Sequence, residues 1–153
     1  MTAFGYPWRF LVAVSLIVFL FSCGGGGGGG GDDGGGGGFS GVYDVSLIKM
    51  EDDCNIMEQN EIRTVQRVTQ NGNAVTLVSG QITMHGEVVR DDLGYGFNVV
   101  YQEQINPACS GAMATVYRET AQVNSYAVGF AIAATCVDGS QCMAGYGGTA
   151  TKR

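Results

Sequence analysis

From residue 39 onward, apolar side chains recur at every second position in one segment after another, and this alternation commits the chain to β-structure. A period of two places successive side chains on opposite faces of a strand and cannot form the stripe a helix needs. In residues 41–48, Tyr43, Val45 and Leu47 share one face. Residues 63–70 and 73–79 flank Asn71-Gly72, a pair suited to a two-residue hairpin turn with positive φ at both positions. Residues 81–89 put Ile82, Met84 and Val88 in phase, and Phe97, Val99 and Tyr101 mark the next segment. Residues 112–123 and 126–136 read as a hairpin around Asn124-Ser125, and residues 141–151 as the last strand. Within 126–136, Val128, Phe130 and Ile132 share a face, while Ala127, Gly129, Ala131 and Ala133 line the other. Residues 58–69 have too many β-branched side chains and no apolar stripe for more than one helical turn. The expectation is all-β: a single eight-stranded antiparallel up-and-down barrel, which closes on itself and leaves no exposed edge. A β-sandwich is the alternative.

The first part of the chain follows other rules. Residues 10–21 (FLVAVSLIVFLF) form a twelve-residue apolar run with Arg9 just before it. That is the length of a secretory signal core and short of the ~18–20 residues of a membrane span. The alternative is an uncleaved anchor with Trp8 at the interface. The run ends in Leu20-Phe21-Ser22-Cys23, which resembles the lipobox of bacterial lipoproteins. The resemblance implies cleavage before Cys23, acylation of its sulfur, and membrane lipid as a partner through that acylated cysteine. It implies a lipid-anchored address in the cell envelope. Gly24 rather than Asp follows the cysteine, which by analogy with enterobacterial sorting points to the outer membrane.

Residues 24–38 are glycine apart from Asp32 and Asp33. The run matches GxGxxG many times, yet no strand precedes it and no helix follows to hold a phosphate. With no side chains to bury and the largest backbone entropy to lose, it reads as a disordered tether of about 20–25 Å r.m.s. span. The expected organisation is a lipoprotein signal peptide (1–22), a lipidated cysteine and glycine linker (23–38), and one β-barrel domain (39–153).

After residue 22, seven Lys and Arg face fourteen Asp and Glu. Such an acidic chain is a poor binder of nucleic acid or anionic lipid. Five cysteines are an odd number for an exported protein; assigning Cys23 to lipid leaves Cys54, Cys109, Cys136 and Cys142 for two disulfides. In an up-and-down barrel the loops after strands one, three, five and seven share one rim, and all four cysteines fall there. The expected pairs are Cys54–Cys109 across the mouth and Cys136–Cys142 clamping the last hairpin.

Gly41-Val42-Tyr43 opens the first strand and Lys152-Arg153 closes the last. In these positions the chain resembles calycin-like, lipocalin-type small barrels, which carry Gly-x-Trp and a basic residue there. The resemblance implies barrel closure by Tyr43 against Arg153 or Lys152, through a cation–π or stacking contact. Tyr stands in place of Trp, and the small residues of the last two strands fit a narrow or filled barrel as well as an open one.

Chemistry is sparse. His85 is the only histidine and alternates with Met84 toward solvent, so neither a Ser-His-Asp triad nor a His-rich metal site can be assembled. Glu51, Asp52, Asp53, Asn55, Glu58 and Glu61 surround Cys54 without EF-hand spacing, and read as a solvated loop rather than a calcium site. No cofactor, metal or catalytic residue is assigned, and the chain is not read as an enzyme. Two functions remain: a structural or interaction lipoprotein meeting another envelope protein, or a carrier of a small apolar or amphipathic ligand facing Phe97, Val99, Phe130 and Ile132. A cavity lined by those four residues favours the carrier; a core filled by them favours the first reading.

Overall fold

The computed structural model describes residues 38–153, except 54, 56 and 57. The expected signal peptide, Cys23, the glycine tether up to residue 37 and Cys54 lie outside the described residues. Eight strands follow one another: β1 (Gly41–Asp52), β2 (Glu61–Asn71), β3 (Ala74–Ser79), β4 (Ile82–Asp91), β5 (Gly94–Asn106), β6 (Cys109–Glu119), β7 (Ser125–Cys136) and β8 (Gln141–Lys152). Each pairs antiparallel with the next, and β8 returns to β1 with Tyr43 opposite Lys152 and Leu47 opposite Gly148. The sheet is therefore a closed barrel in sequence order, not a sandwich.

The hairpins differ in detail from the reading of Asn71-Gly72. Asn71 pairs with Ala74, so the turn is Gly72-Asn73, with Gly72 at φ 60°. Only the first turn position is left-handed, the pattern of a type II′ turn, which uses glycine there. Gly80 repeats this arrangement between β3 and β4. The β6–β7 connection departs further. It is a five-residue loop rather than a two-residue turn, with Asn124 at φ 59° and closure by Thr120 N–H to the Ser125 carbonyl (3.2 Å). A two-residue turn at Asn124-Ser125 would set Cys136 opposite Met113; the longer loop sets it opposite Cys109.

Alternation sorts the side chains as the sequence requires. Tyr43, Val45, Leu47, Leu77, Met84, Phe97, Val99 and Tyr117 point inward and are almost fully buried. Aromatic rings fill the end where both described chain termini lie. Phe97 stacks on Tyr117 (4.5 Å between centroids, 14° between planes), and Tyr43 meets Tyr117 and Tyr126 edge-on. Phe39, just before β1, is 1% exposed and plugs this end against Tyr95, Phe97 and Tyr126. Its backbone is stitched down: Phe39 N–H donates to Gln70 Oε1 (2.7 Å), Tyr43 Oη donates to the Phe39 carbonyl (2.6 Å), and Lys152 Nζ donates to the Gly38 carbonyl (2.8 Å). This end is closed. The other carries the loops after β1, β3, β5 and β7, and is the mouth.

Glycines at three strand contacts, Gly86, Gly96 and Gly148, allow the tight wall. A Cβ on Gly148 would lie 2.0 Å from the Ser46 carbonyl oxygen of β1, and one on Gly86 only 1.8 Å from that of Asn98 on β5. Neighbouring backbones approach there as no side chain would permit, as at the bends of small barrels.

Candidate functional site at the barrel mouth

Of the four residues expected to face a ligand, three are placed in or against the core. Phe97 and Val99 are 0% and 1% exposed inside the packed half of the barrel. Phe130 packs on that core, 6.1 Å from the Tyr146 ring. Only Ile132 reaches an open space. That space is a cavity of about 140 Å3 just inside the mouth, well below the ~300–1,000 Å3 of typical small-molecule pockets. Its walls come from Tyr101, Glu103 and Ile105 of β5, Met113 of β6, Ile132 of β7 and Cys142 of β8. Gly111 and Ala134 face each other on β6 and β7 along this wall, with the Ile105 side chain lying over Gly111.

The alternation read from the sequence reaches Tyr101 in this wall but not Glu103 or Ile105 beyond it. Tyr101, Glu103 and Ile105 continue the inward phase of Phe97 and Val99 along a thirteen-residue β5. The polar stretch Gln102-Glu103-Gln104 disguised that phase. Glu103 is an inward-phase carboxylate near the rim, and Tyr101 Oη donates to its Oε2 at 3.1 Å. This bond, together with the charge of the carboxylate, raises the Tyr101 phenol above its ordinary value.

The expected disulfides are corrected. Cys109 bonds to Cys136, with Cα atoms 4.0 Å apart, so neither Cys54–Cys109 nor Cys136–Cys142 forms. The reason is the β6–β7 register: the two cysteines face each other directly at the open end of one hairpin. A directly opposed, closely spaced pair in an antiparallel ladder meets the short reach of a disulfide. Cys142 is also disulfide-bonded.

The closing contact of Tyr43 with Arg153 takes another form. Tyr43 points inward into the aromatic cluster, and among the described residues no cation lies over its ring. Arg153 lies outside and meets Asp44, the outward neighbour, with Nε 2.8 Å from Oδ2. The Arg153 N–H donates to the Val42 carbonyl across the same seam (2.9 Å). The guanidinium lowers the Asp44 carboxyl below its usual range, chiefly by hydrogen bonding. The described cation–π contact is instead Arg90 over Tyr95 (5.1 Å). His85 is exposed on β4, 3.3 Å from Thr76 Oγ1.

Charge is divided unevenly between the ends. Around the mouth, the cations Lys49 and Arg63 are each paired, with Asp52 (3.3 Å) and Glu61 (2.6 Å). Glu51, Asp53, Glu58, Glu103 and Asp138 stand beyond them as excess negative charge. At the closed half, Arg67, Arg90, Arg118, Lys152 and Arg153 balance Asp44, Glu87, Asp91, Asp92 and Glu119. The barrel is thus neutral at its stitched end and acidic at its mouth. Among the described residues no three His, Cys, Asp or Glu side chains converge as metal ligands would.

Compared with models of protein families, with curated proteins and with solved structures, the chain shows no match. The likeness to lipocalin-type barrels is one of architecture: eight antiparallel strands closed in sequence order.

Proposed function

We propose that this chain is a membrane-anchored lipoprotein of the bacterial cell envelope that displays a small, disulfide-stabilised barrel in a non-catalytic structural or interaction role. The observation that carries this reading is the filled core. Phe97 and Val99, which a carrier would turn toward its ligand, are instead almost fully buried in the core, Phe97 stacked on Tyr117. The address rests on the lipobox-like Leu20-Phe21-Ser22-Cys23 after its apolar run. Acylation at Cys23 and the glycine linker would place the stitched end toward the lipid, because that linker joins the barrel beside Phe39. The acidic mouth would then face away from the membrane toward a partner protein. One acyl chain holds a protein only marginally and two hold it stably, so the proposal requires more than one chain on Cys23.

The test is detergent-phase partitioning of the full chain expressed in a bacterium. The parent partitions into the detergent phase, and Cys23→Ser gives an aqueous or unprocessed product. Equal partitioning of the processed parent and variant would refute lipidation.

A further inference from the structure

The void at the mouth stands out against the rest of the interior. Deeper in the barrel, Phe97, Tyr117, Tyr43 and Val99 are almost fully buried; here Gly111 faces Ala134 and a space of about 140 Å3 lies among the strands. Unfilled volume in a core weakens a fold. An apolar cavity of about 150 Å3 can accept a benzene-sized molecule, so the size selects one ring or a short branched chain. The wall offers Ile105, Met113 and Ile132, with the Cys142 disulfide beside them. Thioether and aromatic groups attract each other favourably, which favours a ring over an alkyl chain.

The polar part of the wall selects charge. Glu103 lines the space and is steadied by the Tyr101 hydroxyl at 3.1 Å. Beyond it lies the acidic rim, whose cations Lys49 and Arg63 are already engaged by Asp52 and Glu61. An anion entering this mouth is repelled, a neutral molecule gains nothing from it, and a cation is drawn in and met by a carboxylate.

We propose that the mouth cavity is a binding site for a small aromatic ammonium ion, its ring among Ile105, Met113 and Ile132 and its charge at Glu103. This goes beyond the display role proposed above and does not depend on lipidation.

Three probes of nearly equal shape test it: 2-phenylethylamine, 2-phenylethanol and phenylacetate. They are titrated calorimetrically at low salt into the oxidised full chain, in lipid nanodiscs if it partitions into lipid and in buffer if it does not. Failure of the anchor is thereby read separately from failure of the site. The amine is expected to bind at least ~5-fold more tightly than the alcohol, with phenylacetate weakest and the preference shrinking as salt rises. Glu103→Gln should erase most of the preference for the amine while the alcohol binds as before. Ala134→Leu should abolish binding of all three, and Gly111→Ala, a smaller change, should weaken it. Equal binding of amine and alcohol, no binding of either, or an undiminished preference in Glu103→Gln would each overturn the proposal. So would binding of a capped Lys-Phe-Lys peptide without binding of the free amine, which would make the cavity a docking point for a protein side chain.

Discussion

At the scale of single residues, the closed end depends on Phe39. It lies outside every strand yet is 1% exposed, held among Tyr95, Phe97 and Tyr126. Phe39→Ala removes a ring from a packed aromatic cluster and should cost about 3–5 kcal/mol, read as a lower urea midpoint with an unchanged slope. The tyrosines beneath it set a second expectation. Burial pushes the phenols of Tyr43, Tyr117 and Tyr126 above their ordinary value. The unfolded chain releases those protons near pH ~10, while the folded chain holds them. The folded state therefore binds more protons as pH rises past that point, and stability falls with increasing pH. Tyrosinate absorbance near 295 nm should rise together with loss of the β-sheet circular dichroism signal, in one alkaline transition; ionisation of these tyrosines well before unfolding would contradict it. Arg118 shows how a charge is accommodated. Only 8% exposed, it gives its guanidinium to Asp91 Oδ2 (2.6 Å), Asn98 Oδ1 (2.8 Å) and the Tyr117 carbonyl (2.8 Å).

At the scale of elements, the wall's glycines are unequal in a way that can be measured. Gly148→Ala drives a methyl to within 2.0 Å of a β1 carbonyl and should cost about 3 kcal/mol or more. Gly129→Ala, where nothing lies within 4 Å, should stay within about 0.5 kcal/mol of the parent. Thermal melts of the two variants check both. The Cys109–Cys136 bond joins β6 to β7 across a separation of 27 residues. Replacing both cysteines by alanine should cost about 2–4 kcal/mol, seen as a lower midpoint under non-reducing conditions. The strands themselves were legible because alternation is a local property: Tyr43-Val45-Leu47 and Phe97-Val99 announce their inward face within a few residues. Register was not. It depends on loop length, and Asn124-Ser125 resembles a two-residue turn although the loop starts at Thr120. That difference moved Cys136 from Met113 to Cys109 and with it the disulfide. The mouth residues were hidden for another reason. Glu103 is polar, yet it occupies an inward position because a barrel's inner face reaches water at its rim, where the apolar rule for interiors lapses.

At the scale of the whole molecule, the barrel has two unlike ends. One is neutral, aromatic and stitched to residues 38–40; the other is acidic, disulfide-bearing and hollow. The seam that makes the shape possible runs between β1 and β8, Tyr43 beside Lys152 and Asp44 beside Thr151. Nearly the entire domain separates these partners in sequence. During synthesis or transport from the N-terminus, β1 can zip to β2 as soon as both have emerged, but its other side must wait for the final residues. Closure waits for β8 to be delivered, and long-range pairing of this kind is intrinsically slow. Until then β1 presents an unpaired edge, and a chain lacking β8, which supplies all of its partners on that side from Ala144 to Lys152, would never lose it.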